Sequence, residues 1–364
     1  MKFIKKIFSD MRSFFNEEPL YAYFFVASIL LMSIFRISSA YEVPEPSLAM
    51  EKIKTAQILF SQKGEDAAQI TSFVQANPEI AYFLGIFTVI FFLFLCLGFV
   101  VSLYIVFSLI SGRKFFKRVN DFIGVSWGLR DVAKVIILFV FISFVTGLIL
   151  SLINGWIFHQ QADNYFMIVH TLIVDLSALS AILYFVKSKH GHSLEEIGLL
   201  KKGYVKDVVL GVLGYSLALP IFIGIVLCLN YVIEFFQYNP PPHPLIDIFI
   251  SEDNKNPRLV AVSILLACTI GPFIEEVFFR GFCYRAIRKV WGVRAAMIVT
   301  AAFFALIHNS LVSIVPIFFL GLILAWLYEK RGSLVPSITL HVLHNSLFIG
   351  YFFILKSVFL DRAP

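Results

Sequence analysis

Residues 259–285 read LVAVSILLACTIGPFIEEVFFRGFCYR, and how this stretch is read decides the fold. It begins as an uncharged apolar run and continues without a polar break through Glu275, Glu276 and Arg280. The pair Glu-Glu occurs three times in the chain. Glu17 and Glu18 lie in a basic amphipathic N-terminus, and Glu195 and Glu196 lie in the charged loop SKHGHSLEEIGLLKK (188–202), where water satisfies acids. Only the third pair extends a lipid-compatible segment. A charge at the centre of a membrane helix costs about 2.5–3.5 kcal/mol on insertion scales, so these residues are functional candidates by default.

The whole chain supports a membrane reading. Of its 364 residues, 59% are hydrophobic, 41 are Phe and only 15% are charged. Mean hydropathy is +0.84. A soluble domain of that composition would expose too much apolar surface. A crossing needs about 20 mainly apolar residues, which predicts an all-α polytopic protein with about nine spans. They fall at 20–40, 81–110, 134–158, 164–187, 207–236, 257–284, 295–312, 314–328 and 334–356. A cytoplasmic N-terminus puts 22 of the 30 Lys and Arg in the inside stretches, as the positive-inside rule expects. The loop 41–80, with six acids to three Lys, then lies outside. The formal charge of +6 reflects this topology and calls for no nucleic-acid partner. Residues 1–15, MKFIKKIFSDMRSFF, have the alternation of a surface-lying helix. Cleavage after a signal peptide ending near ISSA (37–40) is the competing reading, but the run is long and holds Arg36. Cys96, Cys228, Cys268 and Cys283 all fall in spans, where buried apolar thiols are the default and no disulfide framework is implied.

Three regions follow: a cytoplasmic amphipathic N-terminus (1–19), an accessory membrane region (20–187) and a third region (188–364) whose last unit, 257–356, holds four helices. The polar segment QYNPPPHPLIDIFISEDNKNPR (237–258) introduces that unit, its proline run forbidding regular helix. Within it, Glu276 and Arg280 are four apart on one helix face and can pair, whereas Glu275 lies about 140° round from Arg280 and is left for chemistry. Pro272 lacks an amide donor and is expected to free the carbonyl of Cys268. Trp291-Gly292 is the midpoint between Glu275 and His308, so an antiparallel hairpin places those two at one depth. In LHVLHNS, His341 and Asn345 share a face, and His344 is their neighbour. A shielded carboxylate, two imidazoles and a carboxamide suit hydrolysis. The carboxylate takes a proton from water, and the donors stabilise an oxyanion. Zinc is the alternative use of the same ligands. Asp175, with His170 nearby, is the rival buried charge and opens a proton-coupled transporter as a second class of function.

EEVFFR (275–280), FALIH (304–308) and HVLHN (341–345) together resemble the E-E-x-x-x-R, F-x-x-x-H and H-x-x-x-N signature of the CAAX prenyl protease and bacteriocin-processing family, also called Abi. The likeness covers 271–349, and SLEEIGL (193–199) is also similar to a family feature. It implies an intramembrane endopeptidase acting on a membrane-associated protein or peptide near the cytoplasmic surface. Glu275 would be its catalytic glutamate, His308 the partner on water, His341 and Asn345 the oxyanion side, and Glu276 with Arg280 the structural pair. A non-catalytic scaffold or immunity protein keeping the pocket is the other alternative, which an intact acid-His-His-Asn set disfavours. The residue inventory favours a metal-free mechanism. A catalytic zinc wants three firm ligands. If Arg280 holds Glu276, Glu275 must serve as ligand and no base remains.

Overall fold

Inside a bilayer the backbone can hydrogen-bond only to itself, so long apolar runs must become helices. The computed structural model describes residues 2–41, 71–72, 74–111, 124–158, 163–199, 203–238, 244–252, 255–308 and 310–360. Most of the acidic loop 41–80, part of 111–134 and the proline run at 240–242 lie outside the described residues. Among the described residues there are helices and no strand. In chain order they are α1 (Lys2–Glu17), α2 (Pro19–Tyr41), α3 (Pro78–Ile110), α4 (Leu129–Ile157), α5 (Asp163–Leu183), α6 (Tyr204–Phe235), α7 (Pro244–Ser251), α8 (Pro257–Leu265), α9 (Gly271–Glu276), α10 (Arg285–Leu306), α11 (Ile314–Arg331) and α12 (Val335–Leu355). Five of them, α2, α3, α7, α8 and α12, start after a break in helix and carry Pro at their first or second residue, where the missing N–H costs nothing. Helices of π register prolong α5 (Tyr184–Lys189), α8 (Leu266–Ile270), α9 (Val277–Tyr284) and α12 (Lys356–Leu360).

Each of the nine expected spans falls on a helix, but among the described residues six continuous segments meet the length and hydropathy of a crossing: Pro78–Ser108, Leu129–Ile157, Asn164–Lys189, Tyr204–Phe235, Pro257–Leu306 and Val335–Val358. Helix α2 contributes only the shorter apolar stretch Pro19–Ser33 among those residues, and the other two differences from nine have physical reasons. The 50 residues of Pro257–Leu306 would be about 75 Å of straight helix, more than twice the hydrocarbon core. Gly292 breaks that run with φ 79° and ψ 178°, at the turn expected from sequence. Helix α11 ends in Glu329, Lys330 and Arg331, which lower its apolar average. The protein is an integral, multi-pass membrane protein.

The chain divides into two compact units. One comprises 1–45, 123–197 and 277–296. In it, Glu17 pairs with Arg130 and Glu18 with Lys134, so the N-terminal acids are held by the first turns of α4. Phe24 stacks on Phe141 at 4.6 Å, and the imidazole of His170 donates to the Ser143 carbonyl at 3.0 Å. His170 thus joins α5 to α4, as polar side chains commonly do between membrane helices.

The other unit comprises 46–122, 198–276 and 297–364. Small residues let its helices approach closely, since packing, rather than the hydrophobic effect, drives association in lipid. A Cβ on Gly98 of α3 would stand 2.1 Å from the Ser216 carbonyl oxygen of α6. A Cβ on Gly211 would meet Pro336 O at 2.7 Å, and one on Gly321 would meet Ala301 Cα at 2.9 Å. Because the atoms opposing Gly98 are backbone, Gly98→Val must move a helix. It should cost at least about 1–3 kcal/mol and lower the melting temperature in detergent well below that of a Gly85→Val control, whose Cβ meets nothing within 4 Å. Cys268 is buried, whereas Cys96 and Cys228 lie on exposed helix faces, a departure from the buried default; all three are free, as is buried Cys283 in the first unit.

Candidate functional site

The site is built around an irregularity in one helix. Over Leu266–Ile270 the backbone follows π register, and the amide of Gly271 bonds back five residues to Leu266 O. The next donor in that register would serve Ala267 O, but it belongs to Pro272, which has no N–H. The carbonyl so released accepts a hydrogen bond from Asn345 Nδ2 at 2.8 Å. The sequence reading placed the freed carbonyl at Cys268. The five-residue spacing moves it to Ala267. Asn345 therefore commits one amide hydrogen to fastening α12 against the helix that presents the two glutamates.

One turn earlier on α12, His341 lies between both of them. Its Nδ1 donates to Glu276 Oε1 at 3.1 Å, and its Nε2 faces Glu275 Oε2 at 3.7 Å. The two carboxylates differ sharply in access: the Glu275 side chain is 34% exposed and that of Glu276 is 0% exposed. The hydrogen-bonded glutamate is thus sealed, and the other borders open space. His341 itself is buried.

His308 was expected within a span at 295–312 and facing Glu275. Helix α10 ends instead at Leu306, and His308 occupies the turn just beyond it. A carbonyl can only accept, so the 2.7 Å contact between His308 Nδ1 and Phe304 O is an N–H donation that caps the helix. Nε2 is left as the nitrogen open to other partners. No hydrogen bond or ion pair joins His308 to Glu275. Phe304 links the pieces: its buried ring meets His308 edge-on at 4.9 Å and His341 at 5.6 Å. Sequence reasoning gave this Phe a place in a motif but no physical task; its spacing of four from His308 was the available signal.

His344 packs among the rings of Phe222 (4.9 Å), Tyr215 (6.0 Å) and Phe348 (6.1 Å), away from the glutamates' hydrogen bonds. Arg280 is buried on the π segment, its guanidinium 5.7 Å from the Phe279 ring. Among the described residues, no three His, Cys, Asp or Glu side chains converge in a way that could hold a metal ion.

A multi-pass membrane protein that carries two adjacent glutamates on an interrupted helix, with a buried histidine between them, has the elements of a membrane-embedded hydrolase. Comparison with known proteins finds two likenesses. Residues 257–347 match the Rce1-like family, described as type II CAAX prenyl endopeptidase Rce1-like. The chain is also 27% identical over 210 residues to the membrane-embedded CAAX protease MroQ of Staphylococcus aureus (strain USA300), covering 56% of this chain and 79% of that one. No solved structure matches. The segment that bears the glutamates and histidines is thus similar to CAAX proteases embedded in membranes.

Proposed function

We propose that the protein is an intramembrane endopeptidase that hydrolyses a peptide bond of a membrane-associated protein or peptide near the cytoplasmic surface, using water activated by Glu275. The observation that carries this reading is the unequal exposure of two adjacent carboxylates on one imidazole, 34% for Glu275 against 0% for Glu276. An accessible carboxylate in apolar surroundings can take a proton from water. Glu276 fixes the orientation of His341 through Nδ1, which directs Nε2 toward Glu275 and the substrate side. His308, anchored on Phe304 O, offers Nε2 to the water. The carbonyl oxygen of the scissile bond gains charge as water adds. The second amide hydrogen of Asn345, and His341 Nε2 when that imidazole carries a proton on both nitrogens, are the donors that receive it. Arg280 pairs with Glu276 in this scheme and keeps the sealed carboxylate compensated.

The scheme uses each group once and routes no step through a metal. Purified protein should therefore keep its activity after exhaustive chelation. Activity lost to a chelator and regained with zinc alone would contradict this mechanism while leaving the protease reading intact. A cytoplasmic N-terminus puts loop 187–207 inside and loop 41–80 outside. Single cysteines in 41–80 should react with impermeant reagents on intact cells, and cysteines in 187–207 should not; the reverse pattern would invert the topology.

A further inference from the structure

The unit made of 1–45, 123–197 and 277–296 holds a second group of reactive side chains, around Ser126 in the stretch GVSWG (124–128). The hydroxyl is 2.7 Å from His192 Nε2 and 3.0 Å from His190 Nδ1. Each imidazole has a carboxylate on its far side: His192 Nδ1 bonds Glu196 Oε2, and His190 Nε2 lies 3.1 Å from Asp131 Oδ2. The backbone N–H of Ser126 also points at His192 Nε2, at 3.1 Å. That donor requires a lone pair on Nε2, so the His192 proton sits on Nδ1, toward Glu196. This is the tautomer of a general base. The hydroxyl has one proton, and its partner is then His192. His190 Nδ1 lies on the other side of the hydroxyl, with its Nε2 against Asp131 Oδ2.

The arrangement is rigidly mounted. Trp127 is fully buried, donates Nε1–H to Phe282 O at 3.2 Å, and packs edge-on against the His192 ring at 5.1 Å. Lys289 Nζ donates to the carbonyls of Val125 at 3.1 Å and Ser126 at 3.3 Å. Ser126 itself is exposed. The hydrogen bond from His192 holds the Glu196 carboxyl below the usual carboxylate range, which keeps it an acceptor. Nothing in the protease scheme uses any of these groups.

We infer that Ser126, His192 and Glu196 form a second catalytic site, a serine esterase acting on carboxylic esters of apolar acyl chains. A nucleophile, a base within reach and an acid orienting the base are the parts such chemistry needs, and they are recognised by geometry rather than by fold. The sequence pattern G-x-S-x-G is met here as well, and it lies directly before a helix. The acyl preference follows from position. Ser126 lies three residues before the span Leu129–Ile157, and His190 directly follows the span Asn164–Lys189, so the hydroxyl stands at a membrane boundary where ester carbonyls of acyl chains reside. Ser126 Oγ bonds to the ester carbon while its proton moves to His192 Nε2 and the carbonyl electrons become an oxyanion beside His190 Nδ1. Collapse breaks the carbon–oxygen bond of the leaving alcohol, which takes the proton from Nε2. Water then adds to the acyl-serine by the same relay, releasing the carboxylic acid and restoring Ser126.

The test uses the purified full-length protein in detergent, an alkyl fluorophosphonate and mass spectrometry of the digest. An adduct on Ser126 of the folded wild type is expected, with p-nitrophenyl octanoate hydrolysed in parallel. Both should persist in Glu275→Gln, vanish in Ser126→Ala and be at least about a hundredfold slower in His192→Gln, with melting temperatures showing that each variant is folded. Folded wild type without an adduct at Ser126, or His192→Gln reacting at the wild-type rate, would overturn the assignment. Because the adduct is mapped on the wild type, instability of a variant cannot obscure the answer, and failure of the protease reading leaves it unaffected.

Discussion

Glu275→Gln should lower proteolysis by about 10²–10⁴-fold, the range a positioned general base supplies, while leaving folded yield close to wild type. The amide keeps the volume of the carboxylate but cannot take a proton from water. Its site tolerates the change because the side chain is one-third exposed, at 34%, and makes no direct hydrogen bond to His341 at 3.7 Å. The measurement is initial cleavage rate per folded protein, with substrate binding assayed separately. Loss confined to kcat is the expected signature of an interaction made in the transition state. A variant of full activity would remove Glu275 from the chemistry.

Glu276→Leu should act on the fold instead. Its carboxylate is fully sealed and accepts from His341 Nδ1 at 3.1 Å. Removing one partner of a buried ionic or hydrogen-bonded pair costs about 3–5 kcal/mol, because the other is left desolvated and uncompensated. Thermal denaturation in detergent should show a large drop in midpoint together with poor folded yield. Glu276→Gln, which keeps an acceptor oxygen, should recover part of the loss. Equal melting of Glu276→Leu and Glu275→Gln would mean that the two glutamates do not divide their labour in this way.

Much of the architecture was legible because bilayer physics is strict. Apolar length located the helices, and Gly292 marked the turn because a residue with φ 79° is tolerated there only without a side chain. What could not be read was helix register. Leu266–Ile270 and Val277–Tyr284 adopt π geometry, which packing decides and residue propensity does not announce. That one effect moved the freed carbonyl from Cys268 to Ala267. The pairing of His341 with Glu276 was missed for a related reason: the i,i+4 rule sees only neighbours on one helix, and this contact spans 65 positions. The Ser126 group escaped notice because Glu195-Glu196 and the two loop histidines look like an ordinary solvated segment. Only the folded chain shows His190 and His192 meeting one hydroxyl.

The central claim, peptide-bond hydrolysis that depends on Glu275, is tested most directly by comparing the termini of membrane proteins from cells producing wild type or Glu275→Gln at equal levels. New termini, at sites near the cytoplasmic membrane surface, should be present with wild type and absent with the variant. Identical sets of termini, with both proteins folded and equally abundant, would contradict the account.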